Sequence, residues 1–451
     1  MHDSTFAKEK LSTEYNINIC LSGHSQVGKS TILGRLLVEL GFVSLEKVKE
    51  YREKARSLGE EEHVYALMMH TLKKEKEIKK TIYPARIRIS FPQKQKSVTL
   101  IDTPGLNFFY KNMIFGIFQS DGAILCVEAR GGIQKETVSI LHILKGLGIP
   151  IVGVIITKMD IVNYSEADFN EIKEQVTQWL HELEFKIDGL PFCATSGLYG
   201  EGLVKYSNFN EKLSVSLYKM LEDINLNIQN KRQNEPLRLT VRRNDVIKVR
   251  GFGTVAIGQV ESGILSEKDE IIFEPISSIL DRKVIAIIRS IRLAKGVIAT
   301  PDVSLENAVP RNIIGMAISS AKLDIYELLR KHNNIAGLIE SRPTVAKEFL
   351  AEITIIDHLN GIVVGYEPTI NPHIDQIPGK IVEILAKKNY GEDWQKEKLD
   401  FIKQGQQAIV RIKTQKEISI EEEEKIPWLS KFIIREDKII GFGRCTRIEK
   451  R

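Results

Sequence analysis

The chain has 451 residues, of which 43% are hydrophobic and 27% are charged. This is the composition of a globular protein, and at roughly 150 residues per domain the length predicts about three domains. The formal net charge of +5 is compatible with a nucleic-acid partner but does not require one. Because the N-terminus is polar and no apolar run approaches about 18 residues, we expect neither a secreted nor a membrane-spanning protein. The four cysteines show no CxxC spacing, which excludes the usual zinc and disulfide patterns and favours a reducing, cytoplasmic location.

Short apolar runs alternate with amphipathic stretches in the first half of the chain. The apolar runs predict buried strands at residues 17–21, 98–101, 123–127 and 151–156. The stretches between them have helical spacing at residues 31–40, 136–147 and 167–182. This alternation is typical of a mostly parallel sheet with helices on both faces. The polar segment at 225–235 follows and predicts a linker.

After residue 235 the pattern changes to short strand-like pieces separated by Gly, Pro and Asp, as in small β-barrels. These pieces lie at residues 237–241, 254–260, 270–273 and 283–293. The sequence Ser341-Arg342-Pro343 separates two barrels, because alternating segments resume at 352–356. We therefore predict an α/β domain at 1–232 and β-barrel domains at 233–341 and 342–451. The acidic run at 421–424 is expected to be a solvated loop.

A phosphate-binding loop is predicted at residues 23–30. Their sequence, GHSQVGKS, matches GxxxxGK[ST] between an apolar strand and a helix. In that context the backbone N–H groups of the loop and of the helix N-terminus can hold phosphates. Lys29 would neutralise the β- and γ-phosphates, and the Ser30 hydroxyl would ligate Mg²⁺.

Polar residues at the ends of later apolar strands extend this site. Asp102, in DTPG, can hold Mg²⁺ through water, and Gly105 can turn its amide towards a γ-phosphate. Asp160, in TKMD, can accept two hydrogen bonds from the edge of guanine, which adenine does not offer. Ser196, in ATSG, would cover the base from its other side. Each carboxylate alone also fits a turn at the end of a strand, but their order and spacing favour a GTP site.

These motifs together resemble a translational GTPase of the elongation factor 1-alpha family, most like its archaeal members. Residues 23–37 are similar to the family's GHVDxGKST…GRLL, and KNMI at 111–114 matches the segment after its second switch. Residues 72–82, LKKEKEIKKTI, resemble the first switch. That match places Thr81 on the threonine that closes over Mg²⁺ and the γ-phosphate. Parts of the family's two barrels are matched at residues 235–275, 343–366 and 431–443.

The resemblance implies a P-loop GTPase domain followed by two small β-barrels, with GTP or GDP and Mg²⁺ as cofactors. It implies the ribosome, a tRNA or a tRNA-mimicking protein and a nucleotide exchange factor as partners of a monomer that contacts no membrane. The nucleotide-binding residues predicted from the motifs and the resemblance are Gly23, His24, Ser25, Gln26, Val27, Gly28, Lys29, Ser30, Thr31, Gly105, Thr157, Lys158, Asp160, Ser196 and Gly197. The predicted metal ligands are Ser30, Thr81 and Asp102.

Several residues depart from the family pattern. The family has His after D-x-P-G, and here Leu106 takes that position. Leucine has no hydrogen-bonding group and cannot orient the attacking water, so we predict slow hydrolysis and assign no catalytic residue. Thr157 replaces the Asn of NKMD. Because that Asn braces the phosphate loop, we expect weaker nucleotide affinity, with the guanine preference kept by Asp160.

Three functions stay open from the sequence. The first is GTP-dependent delivery of a tRNA, or of a protein shaped like one, to the ribosome. The second is a non-hydrolysing, GTP-gated ribosome-binding or regulatory factor, which Leu106 favours. The third is the GTPase subunit of sulfate adenylyltransferase, because DIVNYSEA at 160–167 resembles the sequence after that subunit's guanine motif.

Overall fold

The computed structural model describes most of the chain, in two compact units. The described residues are 15–57, 59, 61–70, 75, 80–105, 110–226, 232–294, 303–321, 323–358, 360–389, 391–397 and 399–449. Those up to 226 form the first unit, and those from 232 on form the second. Leu106, most of the predicted first switch and residues 227–231 of the predicted linker lie outside the described residues.

A six-stranded sheet forms the centre of the first unit. Its strands are β1 (Tyr15–Ser22), β2 (Ala85–Phe91), β3 (Lys96–Asp102), β4 (Gly122–Glu128), β5 (Ile151–Thr157) and β6 (Phe192–Ala194). They lie in the order β2-β3-β1-β4-β5-β6. All neighbours pair in parallel except β2, which is antiparallel to β3. The order reverses at β1, and ligands of such sheets bind beyond the carboxyl ends of the strands at this point.

Helices cover this sheet and bury apolar side chains against it. They are α1 (Lys29–Glu39), α2 (Leu45–Ser57), α3 (Val64–Met69), α4 (Tyr110–Phe118), α5 (Lys135–Leu147), α6 (Glu166–Glu182) and α7 (Leu217–Asp223). In α1, for example, Ile32 and Leu36 lie one turn apart and pack in one core cluster with Ile17 and Ile19 of β1. Across the described residues, we find no helix with both the length and the apolarity to span a membrane.

Two closed six-stranded barrels make up the second unit. The strands from the first barrel onwards are β7 (Arg238–Val249), β8 (Gly253–Ser262), β9 (Leu265–Ser266), β10 (Glu270–Glu274), β11 (Ile285–Leu293), β12 (Ser304–Leu305), β13 (Asn307–Ala308), β14 (Ile313–Ser319) and β15 (Asn334–Leu338). The ring runs β10-β15-β7-β8-β14-β11 and closes between β11 and β10. Two short helices, α8 (Ile276–Ile279) and α9 (Ile325–Leu329), interrupt the strands.

The second barrel closes in the order β16-β21-β19-β18-β22-β23. The ranges are β16 (Val345–Ile355), β17 (Ile362–Val363), β18 (Thr369–Pro372), β19 (Ile377–Lys388), β20 (Phe401–Ile402), β21 (Gln407–Ser419), β22 (Lys431–Arg435) and β23 (Ile439–Ile448). Alternate residues of β16, such as Phe349, Ala351 and Ile353, point into the barrel and are fully buried. The predicted fold class is confirmed, while the domain boundaries at 232/233 and 341/342 stay predictions.

The acidic run at 421–424 differs from the solvated loop predicted for it. Glu421 is 2% exposed, and its carboxylate accepts hydrogen bonds from Arg238 Nε at 2.6 Å and from Thr344 Oγ1 at 2.6 Å. Arg238 also donates to the carbonyl of Ser341 at 2.7 Å. The prediction is wrong at Glu421 because the fold brings a guanidinium and a hydroxyl from distant segments to a carboxylate that would otherwise need water.

Candidate functional site

Residues 23–30 form a tight loop between β1 and α1. Gly28 has a φ of 100°, a conformation that L side chains rarely adopt. At Gly23 a Cβ atom would lie 2.5 Å from the carbonyl oxygen of Cys126, so a larger residue does not fit. The loop is closed by Lys29, whose Nζ donates to the carbonyls of Gly23 at 2.8 Å and His24 at 2.9 Å. The glycines of the motif are therefore explained by backbone geometry and close packing.

The ammonium group of Lys29 lies inside the protein at the mouth of this loop. The side chain is buried, and burial lowers its pKa, while the charge of Asp102 acts in the opposite direction. Its hydrogen-bond partners here are neutral carbonyl oxygens. A buried cation with neutral partners attracts an anion strongly, because the surrounding medium screens charge less than water does. The loop is thus suited to a phosphate group.

The three predicted metal ligands meet beside this loop. Ser30 Oγ donates to Asp102 Oδ2 at 2.6 Å, and Thr81 Oγ1 lies 3.0 Å from Ser30 Oγ and 3.2 Å from Asp102 Oδ2. Asp102 is fully buried, which raises its pKa, and its second oxygen, Oδ1, has no hydrogen-bond partner among the described residues. The structure therefore brings together residues from α1, from the first switch and from the end of β3.

The chemistry of this trio fits Mg²⁺. Two hydroxyls and one carboxylate are hard oxygen ligands, and the buried Oδ1 of Asp102 offers an unused acceptor. Within the part of the chain that the structure describes, His, Cys, Asp and Glu form no cluster of three or more at metal-binding distance. A dedicated all-protein cage is not needed, because Mg²⁺ is usually held by one or two protein ligands, waters and substrate phosphates.

The DTPG turn packs directly against the loop at 23–30. A Cβ atom on Gly105 would lie 2.7 Å from the Cα atom of Ser25, so only glycine fits at this contact. On the far side of the loop, the backbone N–H of Ser25 donates to Glu136 of α5 at 3.3 Å. The loop is therefore held between the DTPG turn and helix α5.

Thr157 at the end of β5 braces the same loop with its hydroxyl. Thr157 Oγ1 donates to the carbonyl of Val27 at 2.7 Å, and both residues are buried. The expectation that replacing Asn by Thr removes this brace is wrong, because the shorter side chain reaches the loop through its hydroxyl. Lys158 then adopts a φ of 58° and its Nζ pairs with Glu128 at 3.0 Å. The turn that begins after Lys158 places Asp160 at the wall of the cavity.

Most of the predicted nucleotide-binding residues line one cavity of about 640 Å³, a size typical of ligand pockets. These residues are Ser25, Gln26, Gly28, Lys29, Ser30, Thr31, Gly105, Thr157, Lys158, Asp160 and Gly197. The predicted metal ligand Thr81 lines the same cavity. Asp102 lies behind this wall and reaches it through Ser30 and Thr81.

Four predicted residues lie outside the cavity wall. The carbonyl of Gly23 accepts from Lys29 within the loop, and that of Val27 accepts from Thr157 at the end of β5. The ring of His24 lies 3.5 Å from Thr137 Oγ1 and 3.9 Å from Glu128, and burial lowers its pKa. Ser196 is fully buried, and its Oγ accepts from the N–H of Tyr199 at 3.3 Å. The wall that Ser196 was expected to form is made by its neighbours Gly197, Leu198 and Tyr199.

Two groups of residues at this site were not predictable from the motifs. Part of the cavity wall comes from the segment around α3, namely Glu62, His63, Ala66 and His70. Glu75 and Asn112 form hydrogen bonds with the backbone of Ile82, at the end of the first switch. Glu75 lies in the motif LKKEKEIKKTI and Asn112 in KNMI. A motif match alone does not reveal which of its side chains bonds to a neighbouring backbone.

A phosphate loop on a mostly parallel sheet, followed by two barrels, defines a P-loop nucleotide-binding protein with two β-barrel domains. Residues 14–232 match the family model described as "Elongation factor Tu GTP binding domain", and residues 348–446 match "GTP-eEF1A C-terminal domain-like". Elongation factor 1-alpha of Methanothrix thermoacetophila is 33% identical over 445 residues, which cover 97% of this chain and 99% of that protein. The chain belongs to the elongation factor 1-alpha family of translational GTPases, as a divergent paralogue.

Solved structures agree with this fold. The GTPase-like domain of S. cerevisiae Ski7, bound to GDP and inorganic phosphate, has a TM-score of 0.78 at 16% identity and covers 99% of this chain and 100% of that one. The bacterial selenocysteine-specific elongation factor EF-Sec has a TM-score of 0.68 at 21% identity. It matches 97% of this chain, which spans only 59% of EF-Sec. At these identities the likeness establishes the fold alone.

Proposed function

We propose that this protein binds GTP and GDP with Mg²⁺ and acts on the ribosome in a GTP-dependent manner, where it carries a tRNA or a tRNA-mimicking protein. One observation carries the nucleotide part: Ser30, Thr81 and Asp102 lie within hydrogen-bond distance of one another beside the buried ammonium of Lys29. A phosphate-binding cation and a set of hard oxygen ligands at one end of a single cavity match a Mg²⁺–nucleotide complex.

Different residues along the cavity bind different parts of the nucleotide. Lys29 and the N–H groups of the loop at 23–30 hold the phosphates, and Ser30, Thr81 and Asp102 hold Mg²⁺. The metal, when bound, neutralises charge on the phosphate oxygens. At the other end, Asp160 accepts hydrogen bonds from guanine, and Tyr199, which is 64% exposed, covers the base. Thr157 keeps the loop and the base-binding turn in register through its bond to Val27.

The partners are proposed from the family. Archaeal relatives that are 33% and 34% identical are elongation factors, and the chain matches nearly their whole length. The excess of five positive charges agrees with contacts to RNA phosphates, which come mostly from Lys and Arg. GTP would act as the gate, because a γ-phosphate orders the switch segments and GDP releases them.

Slow hydrolysis is proposed from Leu106. Loss of a group that positions or activates water commonly costs about 10²–10⁴-fold in rate. Intrinsic hydrolysis in related switch GTPases is already only about 10⁻⁴–10⁻² per second, so with this further loss the GTP form of this protein would persist for hours at the least. In the extreme case the protein is a GTP-gated binder that does not hydrolyse GTP, and Leu106 is the observation that favours this second function.

Nucleotide binding is tested by titration of the purified chain with fluorescent GDP and GTP, in Mg²⁺ and in EDTA, with ATP as competitor. We expect guanine nucleotides to bind and ATP to fail as a competitor. EDTA should weaken the binding of GTP more than that of GDP. Displacement by ATP as effective as that by GTP would contradict the assignment of Asp160.

Hydrolysis is tested separately by single turnover of pre-bound GTP, with and without ribosomes. Leu106→His should raise the rate sharply if the missing imidazole limits it. If the variant gains nothing, Leu106 is not the reason for slow turnover. Strong ribosome stimulation of the wild type would favour a delivery GTPase with another activating group, and a flat rate would favour the GTP-gated binder.

A further inference from the structure

A buried carboxylate holds the backbone directly after the switch threonine. Glu75 is 1% exposed, and its Oε1 accepts hydrogen bonds from the N–H groups of Ile82 at 2.8 Å and of Tyr83 at 3.0 Å. Two N–H donors to one carboxyl oxygen offset part of the cost of burying this polar side chain. Glu75 therefore fixes the position of the two peptides that follow Thr81.

The peptide between Ile82 and Tyr83 is also held from its other side, by helix α4. Asn112 Nδ2, on α4, donates to the carbonyl of Ile82 at 2.7 Å. One turn further along α4, a Cβ atom on Gly116 would lie 2.9 Å from Thr103 Cγ2 and 3.3 Å from Pro84 Cγ. This face of α4 is thus packed closely on the segment that contains Ile82.

These contacts determine where Thr81 can be. Consecutive Cα atoms lie about 3.8 Å apart, so an anchored Ile82 leaves Thr81 little freedom. In this arrangement the Thr81 hydroxyl lies within 3.0 Å of Ser30 Oγ and 3.2 Å of Asp102 Oδ2. Thr81 can keep these distances only while Ile82 stays in place.

We propose that Glu75 and Asn112 are positioning residues that hold the Ile82–Tyr83 peptide from both sides and so place Thr81 on the metal site. This inference rests on the proposed function, because it concerns how Thr81 serves a GTP–Mg²⁺ complex. Glu75 accepts from the N–H of this peptide, and Asn112 on α4 donates to its carbonyl. Neither side chain contacts the nucleotide in this scheme, and both act through Thr81.

The scheme predicts a selective loss of affinity for the triphosphate. Thr81 contributes only in the closed, γ-phosphate-bound state, so losing its support should spare GDP. Glu75→Met and Asn112→Ala should each weaken the binding of a non-hydrolysable GTP analogue by about 5- to 150-fold, the usual range of coupling between sites. Binding of GDP should change by less than about twofold, the scatter expected of independent sites.

The experiment is a titration of the full-length chain with the GTP analogue and with GDP in Mg²⁺. The variants are Glu75→Met, Asn112→Ala, Thr81→Ala and the double variants of each of the first two with Thr81→Ala. Glu53→Met, on the exposed face of α2, is the matched control. If Glu75 and Asn112 act through Thr81, their substitution has no further effect in the Thr81→Ala background.

Two results would overturn the inference. One is an equal loss of GDP and analogue affinity, which a purely structural role produces. The other is full additivity with Thr81→Ala. Asn112→Ala keeps the test valid if Glu75→Met fails to fold. Wild-type protein that binds neither nucleotide would overturn the proposed function as well, whereas normal binding with an unchanged analogue-to-GDP ratio in the variants overturns this inference alone.

Discussion

The hydroxyl of Thr157 gives the sharpest test of the site geometry. It donates to the carbonyl of Val27 at 2.7 Å, between two buried residues and across 130 positions of sequence. Thr157→Val removes the donor with little change of shape and leaves a buried carbonyl without this partner. Such a loss costs about 1–3 kcal/mol, which corresponds to about 5- to 150-fold if it is expressed in binding.

This loss should fall equally on both nucleotides. The loop at 23–30 holds the phosphates that GTP and GDP share, so a less rigid loop weakens both by the same factor. Thr157→Ser keeps the hydroxyl and is the matched control, expected to bind like the wild type. The assay is titration calorimetry with GDP and a GTP analogue, accompanied by thermal unfolding of each variant. A Val variant that binds both nucleotides as tightly as the Ser variant would refute the bracing role.

Three further predictions concern other parts of the molecule. Asp160→Asn should weaken GTP binding by about tenfold or more and favour xanthine nucleotides, because the lost acceptor faces the base edge. Competition between the nucleotides measures this change. Burial lowers the pKa of His373 from 6.5 to about 4. As the pH falls from 6.5 to about 4, the unfolded chain therefore binds this proton before the folded chain does. The free energy of unfolding should fall by up to about 3 kcal/mol over this range. His373→Asn, which tolerates the φ of 45° there, should remove this component in urea unfolding at both pH values. Glu421→Ala should cost about 3–5 kcal/mol in the same assay by leaving Arg238 buried without its partner, and Arg238→Met with Glu421→Leu should recover most of it.

The parallel strands were predictable because burial on both faces produces continuous apolar runs. The run at 151–156 lies inside β5, which is buried along almost its whole length. Strand β2 was missed because it alternates, with Arg86 and Arg88 between buried residues, and so lacks that signal. An antiparallel strand at the edge of the sheet has this pattern, which a search for apolar runs overlooks.

The site was predictable where the motif itself fixes the geometry. Glycines at 23, 28 and 105 are required by a close contact or a positive φ, and any sequence that forms this loop must supply them. Contacts made by folding were not predictable: the brace by Thr157 and the burial of Glu421 each depend on residues more than a hundred positions away. Ser196 was assigned to the cavity wall because position in a motif does not reveal the direction of a side chain.

The most direct test of the account is sedimentation of the purified chain with ribosomes, loaded either with a non-hydrolysable GTP analogue or with GDP. The account predicts that the chain sediments with ribosomes in the analogue-bound form and stays in the supernatant with GDP. Equal sedimentation with both nucleotides, or none with either, would contradict GTP-dependent action on the ribosome.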